Sequence, residues 1–365
     1  MKILAIDTSC DDTSIAISED RKILANEFWS KLKLHSELGG VVPIEAKRQH
    51  EEFLPLVIEK AIENAGLEIE DMDAIAVTYG PGLAIALEPG IEKAKELAKK
   101  YHKPLIAVNH MIGHIYANLA QDMEEKSLSL TVEFEFPALA LTISGGHTDL
   151  YLMEDHLKFH HIGQTLDDSI GEAFDKVGRT LGFGFPAGGA IEKSALLGDE
   201  NAFKFPRPLA NTNDYNWSYS VLKTAVLYQI KKLTGEYHSK PGKGAYKLED
   251  LASDLSDQQI NDIAASFQRA AVDSLIIKIR KAVGKIKPKM LIIGGGVIAN
   301  TLLRTELEKL AEEFEIKITY PQPMWLCTDN AAMIAITAYY MTQILEDKAY
   351  HNDLETLDRV PNLEI

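Results

Sequence analysis

The spacing of hydrophobic positions changes several times along the chain. Short apolar runs at 3–9, 14–18 and 22–29, divided by tight polar turns, predict three strands. After Pro43 the spacing of Ile44, Phe53, Leu54, Val57, Ile58 and Ala61 becomes helical, which predicts a long amphipathic helix. A buried-type strand at 74–78 runs into the turn Tyr79-Gly80-Pro81-Gly82. Beyond it come a predicted helix at 84–100, a strand at 105–108 and a helix carrying His110 and His114.

The same order then begins again. Strands are predicted at 138–144, 148–153 and 157–162, and helices at 168–181 and 191–197. A long helix near 260–279 precedes a strand at 290–293, which enters Gly294-Gly295-Gly296 and a helix starting near Ala299. A strand at 316–320 and a helix at 330–345 complete the pattern. Three strands, then helix, strand and helix, given twice, is a duplication of architecture. It predicts an α/β fold of two lobes, each ββ(β)αβα, facing across a central cleft, the arrangement of actin-like (ASKHA-type) ATPases. The lobes are expected at 1–125 and 135–327, with a helix at about 328–346 packing back on the first.

The chain has 365 residues, 46% of them hydrophobic, which suits about two lobes with ordinary cores. No apolar run approaches the ~20 residues that cross a bilayer, and the amino terminus meets Asp7 at once, so it reads as a strand and not a signal peptide. Two cysteines, Cys10 and Cys327, imply no disulfide framework, and a cytoplasmic location is expected. The net charge of −16 argues against a wholly basic nucleic-acid binder. The window 202–248 is the exception: it carries +6, leaving −22 for the rest. It also holds Tyr215, Trp217, Tyr219, Tyr228, Tyr237 and Tyr246, side chains able to stack on unpaired bases. A solvated, lysine-rich insertion is the plainer reading of the same window.

Several short motifs can carry chemistry. His110 and His114 lie four residues apart, on one face of a helix, where they can share a cation; they can equally be one capping and one packed histidine. Position 111 is Met, so the Glu general base of the metalloprotease pattern is absent. A metal needs a third ligand, and Asp329 in Cys327-Thr328-Asp329-Asn330 is the candidate, although that sequence is also an ordinary helix cap. Asp7-Thr8-Ser9 and Ser144-Gly145-Gly146-His147-Thr148 are matching strand-to-turn elements whose backbone N–H groups can approach a phosphate. The Gly294 to Asn300 turn suits an adenosine or ribose. Carboxylates at 168, 172 and 175 fall on one predicted helical face, and Asp175 can accept from a ribose hydroxyl or an amine.

Taken in order, these segments resemble the tRNA N6-adenosine threonylcarbamoyltransferase family, variously called TsaD, Gcp or Kae. The matching stretches are Ile6 to Ser14, Gly39-Gly40-Val41-Val42-Pro43, Gly80-Pro81-Gly82-Leu83, His110 to His114 and Ser144 to Thr148. Further along come Gly171 to Lys176, Phe205-Pro206-Arg207-Pro208, Ser218 to Thr224, Gly294 to Asn300 and Cys327 to Ala331. The resemblance implies transfer of threonylcarbamoyl from threonylcarbamoyl-AMP to the adenosine beside the anticodon. It implies a divalent Fe(2+) or Zn(2+) on His110, His114 and Asp329. It implies that Thr142, Ile143, Ser144, Gly145, Gly146, Asp175, Gly188, Glu192 and Asn300 contact the adenylate. Either His147 or Asp175 is the group expected to orient or deprotonate the amine. Expected partners are tRNA, a TsaB-like inactive paralogue and a TsaE-like small ATPase, with no membrane. Pro89, Ala187 and Val221 depart from the family pattern. A small-molecule kinase or ATPase on the same scaffold, a metal-dependent glycoprotease and a scaffolding pseudo-enzyme are the competing readings.

Overall fold

The computed structural model describes residues 1–30, 42–121, 132–235 and 252–365. The glycines at 39 and 40 and the window's Tyr237 and Tyr246 lie outside the described residues. Two mixed sheets organise the rest. The first has the order β3-β2-β1-β4-β5, from β1 (Lys2–Asp7), β2 (Thr13–Glu19), β3 (Lys22–Trp29), β4 (Ala74–Gly80) and β5 (Leu105–Asn109). The second repeats it as β8-β7-β6-β9-β10, from β6 (Ala138–Ile143), β7 (Thr148–Asp155), β8 (Lys158–Gln164), β9 (Met290–Gly294) and β10 (Lys317–Thr319). In each, the first three strands form an antiparallel meander and the last two join in parallel. The fold is therefore α/β with a duplicated lobe, the actin-like ATPase arrangement.

Burial explains which runs became which strands. The residues of β6 and β9 are buried throughout, as strands covered on both faces must be. The edge strands β3 and β8 mix exposed and buried positions instead. Helices α1 (Pro43–Ala65) and α2 (Ala84–Tyr101) cover one face of the first sheet, burying Leu54, Val57, Ile58, Leu87 and Ile91 against Leu4, Ile6 and Val77. The opposite face is covered by the Ala-rich helix near the end of the chain, α9 (Ala331–Leu345). Four helices enclose the second sheet's large core: α4 (Ile170–Thr180), α6 (Ser220–Leu233), α7 (Asp257–Ile286) and α8 (Thr301–Glu313).

The short helix α3 (His110–Tyr116) follows β5 directly and lies between the two sheets. Its Ile115 and Tyr116 are buried with Ala138, Ala140 and Ile292 of the second sheet, and with Ile336 of α9. The remaining helix, α5 (Gly188–Ala195), packs on α7. No helix among the described residues is long and apolar enough to cross a membrane.

Two local expectations change, and two departures from the family pattern find their setting. The helix α6 lies inside the basic window, where none was predicted; its buried Leu222, Val226 and Ile230 recur every four residues, a signal the lysines obscured. Asp168 does not share a helical face with Glu172 and Asp175, because Ser169 caps α4 and the helix begins after it. Ala187 has φ −106°, so it needs no left-handed backbone, and its methyl fills the space a side chain at Gly178 would take. Pro89 sits beyond the first turn of α2, so that helix forgoes one interior hydrogen bond.

Candidate active site and metal centre

The end of β5 delivers α3 into the cleft. Asn109 caps it, its Oδ1 accepting the N–H groups of Met111 at 2.8 Å and Ile112 at 3.2 Å. Gly294, at the end of β9, lies so near the His114 carbonyl that any side chain there would collide with the helix. The imidazoles of His110 and His114 stand edge to face, 4.7 Å between centroids.

Asp329 completes the group. It does not cap α9; Asn330 does, accepting the Met333 N–H at 3.0 Å. The Asp329 carboxylate instead points at the histidines, with Oδ1 3.2 Å from His114 Nε2 and 3.6 Å from His110 Nε2. One ligand atom from each of the three lies within 4.8 Å of the others. Neither ring nitrogen of His114 makes a hydrogen bond, although His114 is wholly buried. Buried ring nitrogens with no hydrogen bond beside a carboxylate are a donor set suited to a cation. Two imidazoles and a carboxylate converging on one point fit a divalent ion such as iron or zinc.

The electrostatics agree with a cation there. Burial works against a charged His110, but Asp329 and then Asp7 outweigh it and hold the imidazole up at about 10. Burial likewise opposes charge on Asp329, yet the two histidines hold its carboxyl well below the usual range. A carboxylate that attracts a proton this strongly onto its neighbour attracts a metal by the same field. Asp7, placed by its sequence in a phosphate turn, puts Oδ2 3.7 Å from His110 Nδ1, on the side away from Asp329. At that distance Asp7 makes no hydrogen bond to the ring, and it acts on His110 through its charge.

The two strand-to-turn elements differ. Asp7, Thr8 and Ser9 are buried, and the Asp7 Oδ1 takes up the Ser9 N–H at 3.2 Å. Ser144 is half-buried and Gly145 and Gly146 are exposed, with open space where side chains would stand. The N–H groups of Gly146 and His147 converge on Ser144 Oγ at 3.3 and 3.1 Å. Amides directed at a single oxygen form an anion cradle. Thr142 and Ile143 precede this turn on β6 with both side chains buried, and Thr142 Oγ1 has no hydrogen-bond partner.

The helix α4 starts against the turn, Ser169 Oγ donating to the Gly145 carbonyl at 2.7 Å. From α4, Asp175 accepts the Ala187 N–H at 2.8 Å and so holds the start of α5, where Gly188 stands. Burial raises the Asp175 carboxyl above its ordinary value. Glu192 of α5 accepts the Thr301 N–H at 2.7 Å, beside Asn300, which caps α8 by accepting the Leu303 N–H at 3.0 Å. Asn300 also donates to Gln268 at 2.8 Å. Asp175 thus ties α4 to the start of α5, and Glu192 ties α5 to the start of α8. Burial lowers His147 below the ordinary imidazole value.

Sequence reasoning missed Asp12, whose carboxyl burial raises to about 6 and whose Oδ1 is buried without a partner. It singled out Asp168 but not its role: Asp168 binds Lys176 at 2.7 Å and Lys223 at 2.5 Å and ties α4 to α6. Opposite charges 8 and 55 residues apart leave no periodic trace in a sequence. The aromatic window needs correcting: Trp217 and Tyr219 are core residues, 1% and 0% exposed, and cannot stack on a base, whereas Tyr228 is 54% exposed.

The duplicated sheets and a three-ligand cluster borne partly on the helix between them define an actin-like α/β protein carrying a candidate metal centre. Full-length HypF, solved in a phosphate- and nucleotide-bound form, shares this fold with a TM-score of 0.54 at 13% identity, over 96% of this chain and 47% of that one. The family model for TsaD, tRNA N6-adenosine threonylcarbamoyltransferase, matches residues 22–336. The protein of that name from Thermosipho africanus is 43% identical over 365 residues, all of both chains. Its namesake from Staphylococcus carnosus is 43% identical over 340 residues, 93% of this chain and 90% of the relative. The chain belongs to the tRNA N6-adenosine threonylcarbamoyltransferase family, and is a transferase.

Proposed function

We propose that this protein transfers the threonylcarbamoyl group of threonylcarbamoyl-AMP to the exocyclic amine of the adenosine next to the anticodon, at position 37 of tRNAs reading ANN codons. The observation that carries the reading is the convergence of His110, His114 and Asp329 on one point, with His147, which follows the open Ser144–Gly146 turn, close enough to feel their charges. A mixed anhydride has an acyl end and a phosphate end, and the two sites match them. His110, His114 and Asp329 hold one Fe(2+) or Zn(2+), which when bound polarises the acyl carbonyl. Gly146 and His147 turn their amides to the phosphate, releasing Ser144 Oγ to add its own hydrogen bond. Thr142 and Ile143 support that turn from β6. Asp175 shapes the pocket through Ala187, and Gly188, Glu192 and Asn300 line the adenosine side.

The amine nitrogen bonds to the carbamoyl carbon, the bond from that carbon to the phosphate oxygen breaks, and AMP departs. The amine proton goes to His147, which burial keeps neutral and able to accept it. The target adenosine must be unstacked to reach the cleft. Tyr228 and the exposed Lys232 lie one turn apart on α6 and offer a flanking base a stacking surface beside a cation. Cytoplasmic location, a TsaB-like paralogue and a TsaE-like ATPase belong to the same proposal.

The test supplies the protein with threonylcarbamoyl-adenylate and unmodified tRNA, with and without the two accessory proteins, and analyses digested nucleosides by mass spectrometry. Threonylcarbamoyladenosine is expected in either mixture, and its rate of formation is expected to fall about 100- to 1000-fold with His114→Ala. Its absence with partners present would contradict the assignment.

A further inference from the structure

Residues 350–365 run back along the open edge of the first sheet. The His351 N–H donates to the Leu105 carbonyl at the start of β5, at 2.8 Å, and Leu357 is buried in the core beneath α1 and α2. The Val360 N–H then donates to the Tyr79 carbonyl at the end of β4, also at 2.8 Å. Covering an edge strand requires no more than this. The segment nonetheless continues past the edge, and the Pro361 carbonyl accepts the Gly82 N–H of the turn after β4 at 3.1 Å. The Val360 carbonyl fills the space that a side chain at Gly80 would take.

The next contact is with the helix bearing the histidines. Asn109 caps α3 through its Oδ1, and its Nδ2 donates to the Glu364 carbonyl at 3.3 Å. One amide side chain thus joins residue 364 to the first turn of α3, next to His110. Ile365 packs against the cluster formed by Ile115 and Tyr116 of α3 with Tyr151 and Met153 of the second sheet. These residues touch α3, the turn after β4 and the opposite lobe at once.

We propose that residues 360–365 form a strap that positions α3 between the lobes and so holds His110 and His114 at the spacing a metal requires. The proposal rests on reading those histidines with Asp329 as a metal site. A ligand helix of two turns has too few internal hydrogen bonds to keep its own register, so its fixed geometry comes from contacts at its ends. Asn109 is a positioning residue here, acting through the cap.

The test uses the purified chain, a variant lacking Leu363–Ile365, Asn109→Ser and the combination. Serine keeps a capping oxygen but cannot reach the Glu364 carbonyl. Zinc affinity is measured by competition with a chelating dye, and amide exchange is followed at Met111 and Ile112 without metal. Each single variant is expected to weaken zinc binding about 10-fold, the usual cost of losing support behind a ligand, and the combination no further. Faster exchange is expected at Met111 and Ile112 and not across the sheets. Unchanged zinc affinity in the shortened variant, multiplying effects in the combination, or exchange rising throughout the chain would each overturn the strap. Were the native chain to bind zinc no more tightly than His114→Ala, the metal-site reading would fail, and the exchange rates would still decide the strap.

Discussion

The first strand-to-turn junction of each lobe occupies the same place in the same topology, but the two are built for different work. In the first lobe the Asp7–Ser9 turn is buried, Gly90 of α2 presses on Thr8, and the Asp7 carboxylate is shared between the Ser9 amide and the neighbourhood of His110. In the second, Gly145 and Gly146 are exposed and nothing stands above them. Duplication therefore preserved the scaffold while dividing the roles. The closed turn lies behind the candidate metal centre, and in the proposed reaction the open one takes the phosphate.

Removing a ligand strikes the first-lobe side hardest. His114→Ala should lose the bound metal and lower kcat/KM by about 100- to 1000-fold, the scale of a metal's several kcal/mol of transition-state stabilisation. Metal content and kcat/KM measured together check it, and a fully active, metal-free variant would end the metal role.

Matched glycine substitutions separate the turns directly. Gly90→Ala drives a methyl into Thr8, a clash worth about 1–3 kcal/mol of unfolding free energy. Gly145→Ala meets open space, so its stability should stay within about 0.5 kcal/mol of the native chain while its KM for the adenylate rises. Urea unfolding and steady-state kinetics on both variants read this out; equal destabilisation would erase the contrast.

Asp7→Asn keeps the turn's shape but removes the charge behind His110, and should weaken zinc binding about 10-fold. If it instead raised the KM for the adenylate and left zinc alone, Asp7 would belong to a phosphate site after all.

The smallest effect is in pH. Burial lowers His147 in the folded state, so between the ordinary value of 6.5 and that lower value the unfolded chain binds the extra proton. Stability from this group is complete above 6.5 and is lost as pH falls through that window. His147→Asn should flatten the melting temperature between pH 7.5 and 5, as followed by circular dichroism; an unaltered slope would place the titration elsewhere.

Much of this was legible in the sequence because apolar runs of four to eight residues and Gly-rich turns are local signals. The three-strand openings at 3–29 and 138–162, and the HxxxH pair after a buried strand, belong to that class. Asp329 was readable as a candidate only because a metal needs a third ligand; nothing local separated it from the cap that Asn330 turned out to provide. The proximity of Asp7 to His110 joins residues 103 apart in sequence, and no periodicity announces it. Trp217 and Tyr219 show the opposite failure: aromatic residues beside lysines suggested a base-stacking surface, while the pattern that buries them is tertiary.

The most direct measurement is a crystal structure of the metal-loaded protein with a non-hydrolysable threonylcarbamoyl-adenylate analogue, with data collected at the metal absorption edge. The account predicts an anomalous peak bounded by His110, His114 and Asp329, and the phosphate on the amides of Gly146 and His147. A phosphate bound at the Asp7–Ser9 turn, or a metal without the two histidines, would contradict the division of labour between the lobes.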